Sequence, residues 1–250
     1  MRFNRLLAAG MLVLAAGNLH AQDLSQVCHA TSSYDLSLRQ GQLVFDRTQP
    51  APTSVVIAAG SLQTNGRQVP LNAEDQDRLT LFQRELLALV PRVKTVINRG
   101  IDVAVQTVQQ EADGLSLDAA TRAELQRRLA ADAANLHQRV AASQSTHDWH
   151  GDAAEQYANQ IASDIAPLIA SAMGQQAVSA AMSGDLQQAA TLRDQAADLT
   201  TGFQARLQRR LQVLRPDIQA LCPDIQRLAE LQQGIRASNG RPLDLVQIGQ

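Results

Sequence analysis

The chain has 250 residues, 45% of them hydrophobic but only 3% aromatic, with a net charge of −2. That length suits one large domain or two small ones and can bury a core without help from a metal. The slight acidity argues against nucleic acid or anionic lipid as a partner, since both call for a basic surface. The shortage of rings argues against stacking sites for bases or sugars.

Residues 1–21 read as a secretory signal peptide. Arg2 and Arg5 precede the apolar run Leu6 to Ala16, and Leu19-His20-Ala21 ends on a small residue. A charged start, a short apolar stretch and a small residue at the cut make up the export signal, too short for a membrane anchor. With cleavage after Ala21, the mature chain keeps 20 basic against 24 acidic residues, and Lys94 is its only lysine. No later apolar run reaches the roughly 18 residues that a spanning helix needs, so no transmembrane segment is expected. The expected location is the periplasm.

The chain then divides near residue 72, and before it short apolar segments alternate with turn residues. Tyr34 to Leu38 and Gln42 to Asp46 alternate as strands, joined by a turn at Arg39-Gln40-Gly41. Val55-Val56-Ile57 is β-branched and lies between Pro52 and Gly60. Asn65-Gly66 sits between Ser61-Leu62-Gln63 and Arg67 to Leu71. That dipeptide suits the pair of positive φ angles in a tight type I′ hairpin. The small antiparallel sheet so described should bury one face against the rest of the chain.

From residue 73 onward the pattern is helical. Asn72 reads as an N-cap with Asp75 three residues on, a capping-box variant. Leu79, Phe82, Leu86, Leu89 or Val90, Val93 and Ile97 step by three and four, which is an amphipathic stripe. Pro91 predicts a kink or a break. A second helix spans roughly 117–143, capped by Ser116, with Leu125, Leu129, Leu136 and Val140 on one side. Gly151-Asp152 opens another, which Pro167 should bend, and residues 170–184 are rich in Ala, Ser and Gly, permitting close backbone approach. Further helices cover about 185–214 and then a stretch to Gly234, punctuated by Pro216 and Pro223, and residues 237–250 read as a flexible tail. Slipping heptads favour an antiparallel bundle over a long coiled coil.

Only two cysteines occur, Cys28 and Cys222. An even count in an exported chain favours a disulfide, which across so long a loop contributes up to about 5 kcal/mol in the chain-entropy model. The alternative is two free thiols, with Cys222 beside the helix start Pro223-Asp224, a position that favours a thiolate.

The order of these features carries a resemblance. An early Cys28, the Gly41-x-Leu43 strand, Asn65-Gly66-x-x-Val69-x-Leu71, then Gln76, Phe82, Leu86 and Pro91 are succeeded by a late Cys222 before a short closing helix. This pattern resembles the YggN-like family of bacterial periplasmic proteins over most of the mature chain. The stretch Gln49-Pro50-Ala51-Pro52 and residues 144–152 depart from it. The resemblance implies a location and an architecture. The family is of unknown function, so it implies no activity.

One polar cluster invites chemistry, Thr146-His147-Asp148-Trp149-His150-Gly151-Asp152. On one helical turn, His147 and His150 converge, and Asp152 or Asp148 adds oxygen, as candidate ligands for a divalent metal. Two histidines at that spacing make only half a site, and the other reading is a capped helix junction with Trp149 packed. No Gly-x-Ser-x-Gly, Ser-x-x-Lys set or His-Glu-x-x-His occurs, and no Gly-rich phosphate loop. No enzymatic activity and no cofactor are expected.

These observations give an α+β fold, a small N-terminal antiparallel sheet (22–72) packed on a larger helical bundle (73–236), with a tail at 237–250. The expected function is that of a non-enzymatic interaction or scaffold protein meeting an envelope protein partner through an exposed stripe on 117–143 or 185–214. The alternative is a carrier that takes a lipid or small apolar ligand between helices, and a metal-dependent enzyme stands third. The intact mass of protein from the periplasmic fraction, alkylated with and without prior reduction, checks the first steps. The expected mass is that of residues 22–250, with alkyl groups gained only after reduction. An uncut chain, or thiols alkylated without reduction, contradicts the export reading.

Overall fold

Three dipeptides with positive φ at both positions turn the N-terminal chain back on itself. They are Gln40-Gly41 (49° and 79°), Ala59-Gly60 (46° and 77°) and Asn65-Gly66 (49° and 74°). Paired positive φ angles match the right-handed twist of flanking strands. The structure, a computed structural model, describes residues 24–115, 117–149 and 152–249. The expected signal peptide lies outside the described residues. The fold is α+β.

A single turn of helix, α1 (Leu24–Val27), and strand β1 (Ala30–Thr31) open the described chain. Next come β2 (Asp35–Arg39), β3 (Gln42–Asp46), β4 (Ser54–Ala58), β5 (Ser61–Thr64) and β6 (Arg67–Gln68), hydrogen-bonded in that order as one antiparallel meander. Register puts Leu43 opposite Ile57, Phe45 opposite Val55, and Ile57 opposite Leu62, so these side chains share one face. All five are buried.

Helix α2 (Ala73–Asp113) begins where Asn72 Oδ1 accepts the Asp75 amide at 2.8 Å, the expected cap. It covers the buried face of the sheet, with the Phe82 ring 6.2 Å from that of Phe45. Helix and sheet touch so closely at Gly60 that a Cβ there lies 2.8 Å from the Gln76 carbonyl oxygen. The helix runs unbroken through Pro91, and α4 (Asp152–Met182) runs through Pro167. Both prolines are exposed, so the carbonyl each leaves without a donor faces water and the ladder continues past it.

Helix α3 (Ala119–Ala142) begins with Asp118 in the capping position. Asp118 Oδ1 accepts the Thr121 amide at 2.9 Å and Oδ2 accepts its hydroxyl at 2.6 Å. Ser116 lies outside the described residues. A 3-10 turn (Thr146–Trp149) leads to α4, and α5 (Leu186–Leu211), α6 (Arg215–Gln219), α7 (Cys222–Leu231) and β7 (Gln247–Ile248) complete the chain.

The chain forms two compact units whose limits do not coincide with a division at residue 72. One joins, among the described residues, those within Ala21–Ile101, Leu136–Ala153 and Leu211–Gln250. The other takes Asp102–Asn135 and Ala154–Arg210 among the described residues. A sheet of this size needs a helix on its face, so it shares a unit with the start of α2 instead of standing alone.

In the first unit the ends of the chain are tied. Cys28 and Cys222 lie at disulfide distance, with sulfurs 2.01 Å and Cα atoms 5.1 Å apart. β1 pairs with β7, Ala30 opposite Ile248. The expected flexible tail at 237–250 is therefore corrected. Leu243 and Leu245 are 2% and 0% exposed, and Ala237 is buried. The physical reason is one buried side chain, Gln232, whose Oε1 accepts the amides of Leu245 (2.8 Å) and Val246 (3.2 Å) while its Nε2 donates to the Val246 carbonyl. The amide does for the segment what a neighbouring strand does, satisfying backbone groups that burial otherwise penalises.

In the second unit the core is aliphatic. Ala112, Leu115, Leu117, Leu125, Leu129, Ile165, Ala172 and Met173 form its buried cluster. The Arg206 guanidinium spans Glu111 (2.9 Å) and Asp198 (3.0 Å). It passes close over Gly202, where a Cβ would run into its Nη1.

Candidate functional site

The polar cluster singled out in the sequence lies on the segment after α3. There Leu38 donates its amide to the Gln144 carbonyl at 2.8 Å and Leu36 donates to Thr146 Oγ1 at 2.9 Å. The segment thus covers the outer edge of β2, a protection that blunts unwanted strand pairing. Trp149 Nε1 donates to Ser143 Oγ at 2.9 Å, and Ser143 Oγ donates to Asp148 Oδ2 at 3.0 Å. His147 is 82% exposed, its Nδ1 3.8 Å from Asp35 Oδ2. His150 and the Asp152 side chain lie outside the described residues. Among the described residues no group of three or more His, Cys, Asp or Glu is placed to hold a metal ion. Here His147 belongs to a strap over a sheet edge, beside an open cleft of about 590 Å³ that also takes in Asp35, Asp46 and Asp148.

A second open cleft, about 670 Å³, lies between the loop at Thr48 to Thr53 and Asn239 with Arg241. Both clefts are rimmed mainly by polar side chains. Cys28 and Cys222 are joined to each other and serve the fold.

Charge is organised in the second unit between α3 and α4. Glu124 accepts from Arg127 and Arg128, both at 2.7 Å through Oε1, and the Arg127 and Arg128 hydrogen bonds hold its carboxyl down at about 2. Arg128 also donates to the Asp164 carbonyl at 2.6 Å and to its carboxylate at 3.1 Å. One turn further along α3, Asp132 keeps a buried Oδ2 with no hydrogen-bond partner. Burial, with the Asp164 charge adding to it, pushes the Asp132 carboxyl up, against the pull of Arg128.

The stripe expected to be exposed on 117–143 is instead buried at Leu125, Leu129 and Val140. Among the described residues the large apolar side chains left most open are Met182 (85%), Leu186 (72%) and Val178 (60%), at the turn from α4 into α5. That turn is well made. Gly184 takes φ +79°, Asp185 donates its amide to the Ala180 carbonyl at 2.9 Å, and Asp185 Oδ1 accepts the Gln188 amide at 2.9 Å. A left-handed glycine with a six-to-one bond closes α4, and an Asp cap starts α5. The exposed side chains therefore stand on fixed backbone. Sequence periodicity missed this patch because the second half of α4, from Ile165 to Met182, has no charged residue to mark off a solvent face. The readable signal was charge: from Ile165 to Leu192 Asp185 is the one acidic or basic residue.

The molecule is thus an α+β protein with its cysteines paired across the chain and an open apolar turn, and no helix of its described residues is long and apolar enough to cross a membrane. It belongs to the family described as "Protein of unknown function (DUF2884)", whose model matches residues 28–246. Neither the curated proteins nor the solved structures contain a match to it.

The state of Asp132 gives a pH dependence with a definite sign. Its folded pKa lies above the unfolded value, so the unfolded chain releases the proton first as pH rises. The folded state then loses stability through the carboxylate range and carries the full penalty above the folded pKa. The isosteric Asp132→Asn removes that penalty. Thermal unfolding should show a raised midpoint for the variant at pH 7 and no difference at a pH below both pKa values. An equal or lower midpoint at pH 7 contradicts this account of Asp132.

Proposed function

We propose that this chain is an exported, non-enzymatic interaction protein of the bacterial cell envelope. It acts in the periplasm after cleavage behind Ala21 and stands among the YggN-like proteins. The export pattern at residues 1–21 and a cysteine pair at bonding distance support an oxidising compartment, where such bonds persist.

The observation that carries the interaction reading is the exposed set Val178, Met182 and Leu186 on the α4–α5 turn. A rigid, exposed apolar cluster marks a contact surface more often than a solvated one. The catalytic alternative needs convergent titratable groups, whereas the groups around Glu124 serve a helix pair and those around His147 serve a sheet edge.

A photoreactive residue at position 182, introduced in cells, tests the reading. The expected result is a discrete protein adduct in the periplasmic fraction, lost when the probe is moved to Arg127, which faces solvent on α3. An exported protein that gives no adduct at position 182 contradicts it.

A further inference from the structure

We infer that Met182 is an oxidation site and that its conversion to the sulfoxide switches off the apolar turn between α4 and α5. The switch rests on the interaction reading and adds the regulation of that surface.

The chain has four methionines, and Met1 and Met11 fall in the expected export signal. The other two stand on α4 in opposite surroundings. Met173 is 7% exposed and belongs to the buried cluster of the second unit, with Leu125, Leu129 and Ile165. Met182, the last residue of the same helix, is 85% exposed. An oxidant in solvent therefore reaches one thioether directly and the other only when the core opens. Cys28 and Cys222, the only cysteines, lie at bonding distance. A disulfide has no thiolate to offer a peroxide, so Met182 is the sulfur that reacts first.

The step transfers one oxygen atom. A lone pair on the Met182 sulfur attacks an oxygen of hydrogen peroxide, the O–O bond breaks and water leaves. The sulfur is oxidised by two electrons and the peroxide is reduced by two. A methionine sulfoxide reductase reverses the step with two electrons and two protons, releasing the oxygen as water.

Position gives the step its consequence. Val178 stands one turn before Met182 on α4, Leu186 opens α5, and both are exposed. Oxidation turns a flexible apolar side chain into a polar one and so sets a strong hydrogen-bond acceptor in this patch. The polar side chains of the turn give that oxygen no free donor. The Ser183 hydroxyl already donates to the Ala180 carbonyl at 2.9 Å, and the Asp185 carboxylate accepts the Gln188 amide. A partner covering the patch must then bury the sulfoxide oxygen unpaired, which burial penalises.

Peptide mass spectrometry after timed exposure of the folded, disulfide-bonded protein to hydrogen peroxide tests the site. Met182 should gain its oxygen at least about tenfold faster than Met173, which waits for a local opening, with an unchanged circular dichroism spectrum. Retention on a hydrophobic-interaction column tests the consequence. Oxidised wild type and Met182→Gln should elute earlier than the untreated protein, while Met182→Leu should keep its retention through the same exposure. Equal rates at the two methionines overturn the site, and unchanged retention of protein oxidised at Met182 overturns the switch. In cells, a photoreactive residue at position 186 separates the switch from the reading it rests on. Its protein adduct should be lost after a peroxide pulse and kept when Met182→Leu is also present. An adduct that survives oxidation of Met182 rejects the switch and leaves the interaction reading standing. No adduct before the pulse rejects both.

Discussion

Backbone carbonyls left open at helix ends must find donors, and in the first unit one helix supplies them. Three cations of α2 each reach the end of a different helix. Arg78 donates to the Glu230 and Gln233 carbonyls at the end of α7. Arg92 donates to the Ala220 carbonyl after α6 and pairs with Asp224. Lys94, the only lysine, donates to Ala141 (2.9 Å) and Ser143 (2.7 Å) at the end of α3. A cation at a helix C-terminus satisfies the last carbonyls and opposes the helix dipole. On the sheet side, Gln83 accepts the Ala59 amide at 2.9 Å and donates to the Gly41 carbonyl at 2.5 Å, fastening two hairpin turns to the same helix. The sheet, the strap over β2 and the closing helices of this unit all depend on α2.

That dependence explains why the cysteines lie where they do. Cys28 and Cys222 join the end of α1 to the start of α7, and β1 pairs with β7 just beyond. Cys28 is 4% exposed, so the link sits inside the packing. Burial of Leu243 and Leu245 then needs donors and acceptors for their backbone, and Gln232 supplies them. Small sheets and short helices are weak alone. Here each is held by a polar side chain that reaches a backbone group in another element.

Elements governed by local rules were legible in the sequence. Asn65-Gly66 made its hairpin and Asn72 its cap, because both signals act over two to four residues. The α+β order and the cysteine pairing could be read from periodicity and count. What escaped were features set by distant partners. Nothing near Gln232 announces that its amide will hold residues 245 and 246, so the C-terminal stretch read as loose. Pro91 read as a kink or a break, and that the helix continues past it depends on which of its faces is buried. Asp118 caps α3, a role the sequence did not single out because several residue types can serve it. Of the candidate site, His147 was visible as a residue, but its position on a strap over β2 is tertiary. The open apolar turn after α4 was hidden for the opposite reason, since a stretch from Ile165 to Leu192 whose one acidic or basic residue is Asp185 gives periodicity little to detect.

Native-state hydrogen exchange at the Leu243 and Leu245 amides tests most directly whether the first unit closes as one body, because Leu243 donates to the Ile235 carbonyl and Leu245 to the Gln232 side chain. If the unit closes through these polar anchors, both amides open only with the unit as a whole. Their protection then equals that of Val55 and Ile57 in β4. Exchange at free-peptide rates at residues 243 and 245, with β4 still protected, contradicts the account and returns the C-terminal stretch to a loose tail.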